Sequence, residues 1–124
     1  MRVTPSLIVR LVQINQPLLK QNYLPYAAGL LQDYVQRHAP DLSRYVFLPP
    51  LYQRLPLQAM LKELLLADLV GFSCYVWNSE YSLALARLLK KAKPDVLIVF
   101  GGPHVPDRAS EFLRAYPWVD ACVH

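Results

Sequence analysis

The sequence predicts an α/β fold: a five-stranded parallel sheet with helices on both faces. Two runs, Asp68-Leu-Val-Gly-Phe-Ser-Cys74 and Asp95-Val-Leu-Ile-Val-Phe100, are too continuously apolar for a sheet with one wet face. Between them lies a segment of helical period. Each run then empties into a turn of small, polar and amide groups, Tyr75-Val-Trp-Asn-Ser79 after the first and Gly101-Gly-Pro-His104 after the second. Ligands of open parallel sheets settle at the carboxyl ends of strands, so the chemistry is expected at these two turns.

The other elements follow in order. Leu7 to Ile14 reads as a first strand, followed by Asn15-Gln16-Pro17 and a polar loop to Asn22. From Pro25 to His38 apolar positions recur at Leu24, Ala27, Ala28, Leu31 and Val35, a helical period, and Pro40 stops the helix. Arg44 to Leu48 is a short second strand closed by Pro49-Pro50. Pro56 opens a second helix carrying Leu57, Met60, Leu61, Leu64 and Leu65. Asp68 to Cys74 is the third strand. Asn78 or Ser79 is placed to cap a third helix with Tyr81, Leu85, Leu88 and Ala92 as its inward stripe, ended by Pro94. Asp95 to Phe100, a short helix over 107–115, and Val119 to Val123 complete five β-α units.

Alternating strands and helices with short links require right-handed crossovers, and five strands most often order as 2-1-3-4-5, a flavodoxin-like three-layer sandwich. The chain stops at His124, on or just past the fifth strand, so the helix that ordinarily follows is missing. We therefore expect residues 1–124 to be one domain of a longer protein.

At 124 residues and 54% apolar content the chain is long enough to bury one core. No apolar run reaches the roughly 18 residues of a membrane span, and no secretory signal pattern opens the chain, which points to a cytoplasmic protein without membrane partners. The net charge of +4 is scattered except for Lys90, Lys91 and Lys93, which fall where a helix should end and complement its dipole. Nucleic acid is not an expected partner. Cys74 and Cys122 belong to no C-x-x-C pair, which argues against a metal site built from this chain alone.

In the predicted strand order the crevice lies between strands 1 and 3, where Asn15 to Asn22 faces Ser73 to Ser79, with Gly101 to His104 beside them. No acidic cluster marks a phosphotransfer site, and neither a flavin phosphate loop nor G-x-G-x-x-G follows strand 1. A rim of uncharged donors, acceptors and aromatics remains: Asn15, Gln16, Gln21, Asn22, Ser73, Tyr75, Trp77, Asn78, Ser79 and the Gly101-Gly102 backbone. Small residues at Ala27, Ala28, Gly29, Gly71, Ser73, Gly101 and Gly102 leave room for a narrow channel along the sheet.

Three segments carry a family resemblance: Asn22-Tyr-Leu-Pro-Tyr-Ala-Ala-Gly-Leu-Leu31, Gly71-Phe-Ser-Cys-Tyr-Val-Trp-Asn78 and Phe100-Gly-Gly-Pro-His104. Through them nearly the whole chain resembles the N-terminal cobalamin-binding domain of B12-dependent radical SAM enzymes. The broader cobalamin-binding family carries Asp-x-His-x-x-Gly after strand 1, whose histidine binds cobalt. Here the matching stretch is Asn15-Gln-Pro-Leu-Leu-Lys20, with Pro17 at the histidine's place and Lys20 at the glycine's. The resemblance thus implies base-off cobalamin without a protein histidine on cobalt. The family's Ser-x-Leu and Gly-Gly motifs map onto Ser73-Cys74-Tyr75 and Gly101-Gly102, with tyrosine departing from leucine.

The resemblance implies that Asn15, Gln16, Pro17, Ser73, Cys74, Tyr75, Trp77, Asn78, Gly101, Gly102, Pro103 and His104 surround the cofactor. Ser73 and the glycines would meet the nucleotide tail, so leucine at Gly102 or Ser73 is expected to abolish corrinoid retention with helices intact. Tyr75, Trp77 and Asn78 would lie along the corrin, and His104 near the tail's sugar or phosphate. More ordinary roles stand beside these: strand-end turns for Ser73 and the glycines, a helix cap for Asn78, a solvated loop for His104, a neighbouring domain for the aromatics. No partner is evident to activate Cys74 as a nucleophile. The implied partner is a radical SAM barrel of the same chain, with its [4Fe-4S] cluster and S-adenosylmethionine, and the implied reaction is methyl transfer to an unactivated carbon. The rival is a domain of this fold that lost its cofactor and serves as a substrate-capture or interdomain scaffold.

Overall fold

A computed structural model describes residues 6–16 and 24–124 of the chain. Pro17, Lys20, Gln21 and Asn22 lie outside the described residues. The strands are β1 (Leu7–Val12), β2 (Tyr45–Phe47), β3 (Leu69–Ser73), β4 (Leu97–Gly101) and β5 (Ala121–Val123), joined by the helices α1 (Tyr26–His38), α2 (Leu57–Leu64), α3 (Ser79–Ala92) and α4 (Ser110–Ala115). All pairings are parallel and the order is β2-β1-β3-β4-β5, as the β-α alternation required.

Handedness decides which face each helix covers. The path turns one way from β1 to β2 and the other way from β2 onward, so right-handed crossovers put α1 opposite α2, α3 and α4. The core lies on the three-helix face. Val12, Val70, Phe72, Ile98 and Phe100 pack there with Met60, Leu64, Leu85, Ala86 and Leu89, all within 2% of complete burial. Phe72 and Phe100 are register partners whose rings stack at 4.9 Å, each burial removing about 1.5–3 kcal/mol of apolar exposure. Alternate residues Leu7, Val9, Leu11, Leu69, Gly71 and Val99 face α1.

Several expected positions move. The buried stripe of α3 is Ser82, Leu85, Ala86 and Leu89, not Tyr81, Leu85, Leu88 and Ala92, and Ala92 is exposed. Apolar side chains surround this helix on several sides, so the 3.6 period alone does not choose between adjacent stripes. The small Ser82 and Ala86 mark where it lies closest to the sheet. In α1 only Ala28 is buried, Leu31 is 61% exposed, and Leu24, ahead of the helix, is 78% exposed. Of the apolar residues at α2, Met60 and Leu64 are buried, and Leu65, one position past the helix's end, is exposed.

At the amino ends of the strands the same device occurs twice. Asp68 accepts the Ile8 amide at 2.8 Å through Oδ2, and its Oδ1 lies 3.7 Å from Lys93 Nζ. Asp120 Oδ2 accepts both the Ile98 amide and Lys90 Nζ at 2.7 Å. Lys93 also donates to Ala67 O, and Lys90 to Val96 O. These two lysines therefore tie α3 to the sheet, which agrees with a structural role for the basic cluster. No helix among the described residues is long and apolar enough to cross a membrane.

Candidate functional site

Where β1 and β3 end, the sheet splits. Their register stops at Val12↔Phe72. Beyond it, Gln13 N and Asn15 N donate to Leu51 O and Tyr52 O on the β2 side, whereas Cys74 N donates to Gly101 O on the β4 side. A crevice opens between them, at the topological switch point where ligands of such sheets bind. Ser73, Tyr75, Gly101 and Gly102 lie together at its β3–β4 side, with Asn15 and Gln16 at the end of β1.

From this crevice a groove of about 780 Å³ runs beneath α1, lined among others by Leu11, Ala27, Ala28, Gly71, Ser73 and Gly101. Its far wall is formed by Val99, Val123 and His124. The amino end of α1 is pinned over it by Gln13, whose Oε1 accepts the Ala28 amide at 3.0 Å. A second apolar cavity of about 540 Å³ lies between α1 and the β1–β2 pair.

The glycines differ in what they do. Gly102 has φ +103°, and a Cβ there would meet Cys74 O at 2.8 Å and Cys74 N at 3.0 Å. Glycine is demanded by the protein's own backbone, so leucine at Gly102 would strain this turn whether or not a corrinoid is bound. Gly101 is different: a Cβ would stand 3.5 Å from Val123 O, an ordinary contact. At Gly71 it would meet only the mobile end of Leu11, at 2.9 Å. These two glycines keep the groove wide without being required by the local backbone.

Above the crevice, Tyr75 and Trp77 stack at 4.5 Å with their planes 11° apart, and Val76 beside them is 72% exposed. Arg54 donates to Trp77 O at 3.2 Å and holds its guanidinium 5.0 Å over the Tyr81 ring. Tyr81 in turn donates to Leu55 O. Burial pushes the Tyr81 hydroxyl's pKa up, partly opposed by Arg54.

Asn78 stands at the N-cap position of α3, yet its side chain does not cap the helix. It is completely buried and bonded to Ile14 O, Ser73 O and Tyr75 N. A cap was the expectation from residue type; the strand-end carbonyls of the split sheet win the amide instead. Cys74 is likewise buried, and burial, with Cys122 nearby, pushes its pKa from 9.0 up to about 11. That thiol is no activated nucleophile. Its backbone does serve the turn, accepting the His104 amide at 3.1 Å. Pro103 and His104 are exposed beside Gly102.

Sequence reasoning did not find Arg54, Gln13, Leu11 or Val123. Leu11 and Val123 were legible in principle from strand alternation once Gly71 and Gly101 were placed on the same face. Arg54 left no signal, because its partner is a carbonyl on a distant turn.

The family described as B12 binding domain matches residues 57–124. Two curated proteins are each 39% identical over 102 residues, 82% of this chain: the cobalamin-dependent radical SAM methyltransferase TokK of Streptomyces tokunonensis, and a 2-(S-pantetheinyl)-carbapenam-3-carboxylate methyltransferase of Streptantibioticus cattleyicolor. The chain spans about 15% of the length of either relative.

Proposed function

The chain belongs to the B12-binding domain family, and from that premise we propose that it holds base-off cobalamin and presents it to a radical SAM domain for methyl transfer. The groove beneath α1 carries this reading. It begins at Ser73 and Gly101 in the switch-point crevice, and the small residues Ala27, Ala28, Gly71 and Gly102 leave it open between walls of leucine, valine and aromatic side chains. A flat nucleotide tail fits such a slot, where each added methyl group would narrow it.

When bound, cobalamin supplies a methyl group held on its cobalt; the protein supplies placement and surroundings. The groove would hold the nucleotide tail. Ser73 and the backbone at Gly101 would offer it polar contacts at the entrance. The stacked Tyr75–Trp77 pair would offer the corrin an aromatic face. No protein histidine would be needed on cobalt, since the resemblance sets Pro17 where the broader family has its ligand. A radical SAM barrel with its [4Fe-4S] cluster and S-adenosylmethionine would lie elsewhere in the same protein; the name of TokK, a cobalamin-dependent radical SAM methyltransferase, supports this. A cofactor-free scaffold would leave the groove without an occupant.

The test is anaerobic incubation with hydroxocobalamin followed by gel filtration. The reading expects about one corrinoid retained per folded chain, with a shifted absorbance spectrum. A folded protein that elutes colourless at saturating corrinoid overturns it.

A further inference from the structure

Asn78 has no exposed surface, yet each of its side-chain polar atoms is bonded. Nδ2 donates to Ser73 O at 3.0 Å and to Ile14 O at 3.2 Å, and Oδ1 accepts the Tyr75 amide at 2.8 Å. Its backbone amide donates to Tyr75 O at 3.1 Å. The carbonyls of Ile14 and Ser73 stand on opposite sides of the crevice, just past the point where β1 and β3 cease to pair. One amide group therefore bridges the split in the sheet and fixes the first residue of the aromatic turn.

We infer that Asn78 is a positioning residue: it bridges the crevice between β1 and β3 and presets the Tyr75–Trp77 face for the corrin before the cofactor arrives. The inference rests on the cobalamin reading. Two donors and one acceptor in this arrangement are met by a primary amide and by few other side chains. Aspartate keeps the acceptor but turns a carboxylate oxygen toward two carbonyls. Leucine, of similar shape, leaves three backbone groups unpaired in a buried place, where such orphans are costly. The Trp77 end of the turn is held independently by Arg54, so the aromatic pair is fixed at both ends. Preorganisation of this kind reduces the ordering that binding must otherwise impose.

Two measurements on the same protein test this. The first is hydrogen exchange at the Tyr75 amide with and without hydroxocobalamin. A preset turn exchanges at least about 100-fold more slowly than an unstructured amide before loading, and loading changes that rate by less than about tenfold. Exchange at the unstructured rate until corrinoid is added overturns the inference, and needs no variant.

The second is corrinoid affinity in Asn78→Asp, with Leu85→Ala as a control destabilised in the core away from the turn. Positioning predicts at least a tenfold weaker hydroxocobalamin affinity in Asn78→Asp, and a loss larger than that of Leu85→Ala at matched thermal stability. It also predicts the same loss for cobinamide, which lacks the tail. Equal losses in the two variants mean that Asn78 acts only on stability, and overturn the proposal. Should Asn78→Asp fail to fold, the exchange result decides. Failure of the unsubstituted, folded protein to bind hydroxocobalamin instead sinks the cobalamin reading, and with it this inference.

Discussion

Gly102 lies against the peptide of Cys74, close enough that a Cβ would come within 2.8 Å of Cys74 O, and it does so at φ +103°. The turn after β4 is thereby locked to the turn after β3. The bonds from Cys74 N to Gly101 O and from His104 N to Cys74 O close the same junction. Gly102→Ala should cost about 1–3 kcal/mol from left-handed strain, plus whatever backbone shift the contact forces. Thermal unfolding checks this: a melting temperature unchanged within error contradicts it, and corrinoid binding is not the primary readout at this position.

Groove width is probed at Ser73, which lines the groove, and at Gly101, where the local backbone does not require glycine. Ser73→Leu and Gly101→Leu should weaken hydroxocobalamin binding by more than about tenfold, some 1.4 kcal/mol, while leaving cobinamide affinity nearly unchanged. Paired titrations with the two corrinoids read the difference. Equal losses for both would put the tail outside the groove.

The Cys74 thiol should be inert. With its pKa near 11 and its side chain buried, it holds little thiolate at pH 8, and Cys122, also raised by burial but partly exposed, should be alkylated first. Mass spectrometry after a timed iodoacetamide pulse assigns the order. The same shift has a stability sign. The folded thiol keeps its proton longer than the unfolded one, so its contribution is full below about pH 9 and declines as the pH rises towards 11. The stability difference between the parent and Cys74→Ala, from urea melts, should therefore shrink across that window; a difference that grows with pH would contradict the assignment.

The aspartates at the strands' amino ends should matter more than their exposure implies. Asp120→Ala removes an acceptor shared by the Ile98 amide and Lys90 and should cost about 1–2 kcal/mol. Asp120→Asn keeps an acceptor for the amide and should cost less. Urea denaturation of both checks the ranking.

The sequence made the β-α order and the strand order legible, because the apolar runs at Asp68–Cys74 and Asp95–Phe100 have a single reading in a parallel sheet. The registers within helices were less so: α3 carries apolar residues around most of its circumference, and its buried stripe is set by how closely Ser82 and Ala86 let it approach the sheet. Asn78 shows the limit most clearly. Residue type and position both pointed to a helix cap, whereas its bonds go to Ile14, 64 residues away, and to Ser73. Long-range polar pairing of that kind has no period in the sequence. At Gly102 the sequence drew attention to the residue but not to Cys74, the neighbour whose backbone leaves no room for a side chain.

In the proposed complex the tail would lie in the groove and no protein nitrogen would take its place on cobalt. Electron paramagnetic resonance of the protein loaded with cob(II)alamin reads this. The expected result is a bound, base-off signal without nitrogen superhyperfine splitting. A triplet splitting from an axial nitrogen, whether from the tail or from a histidine, would contradict it.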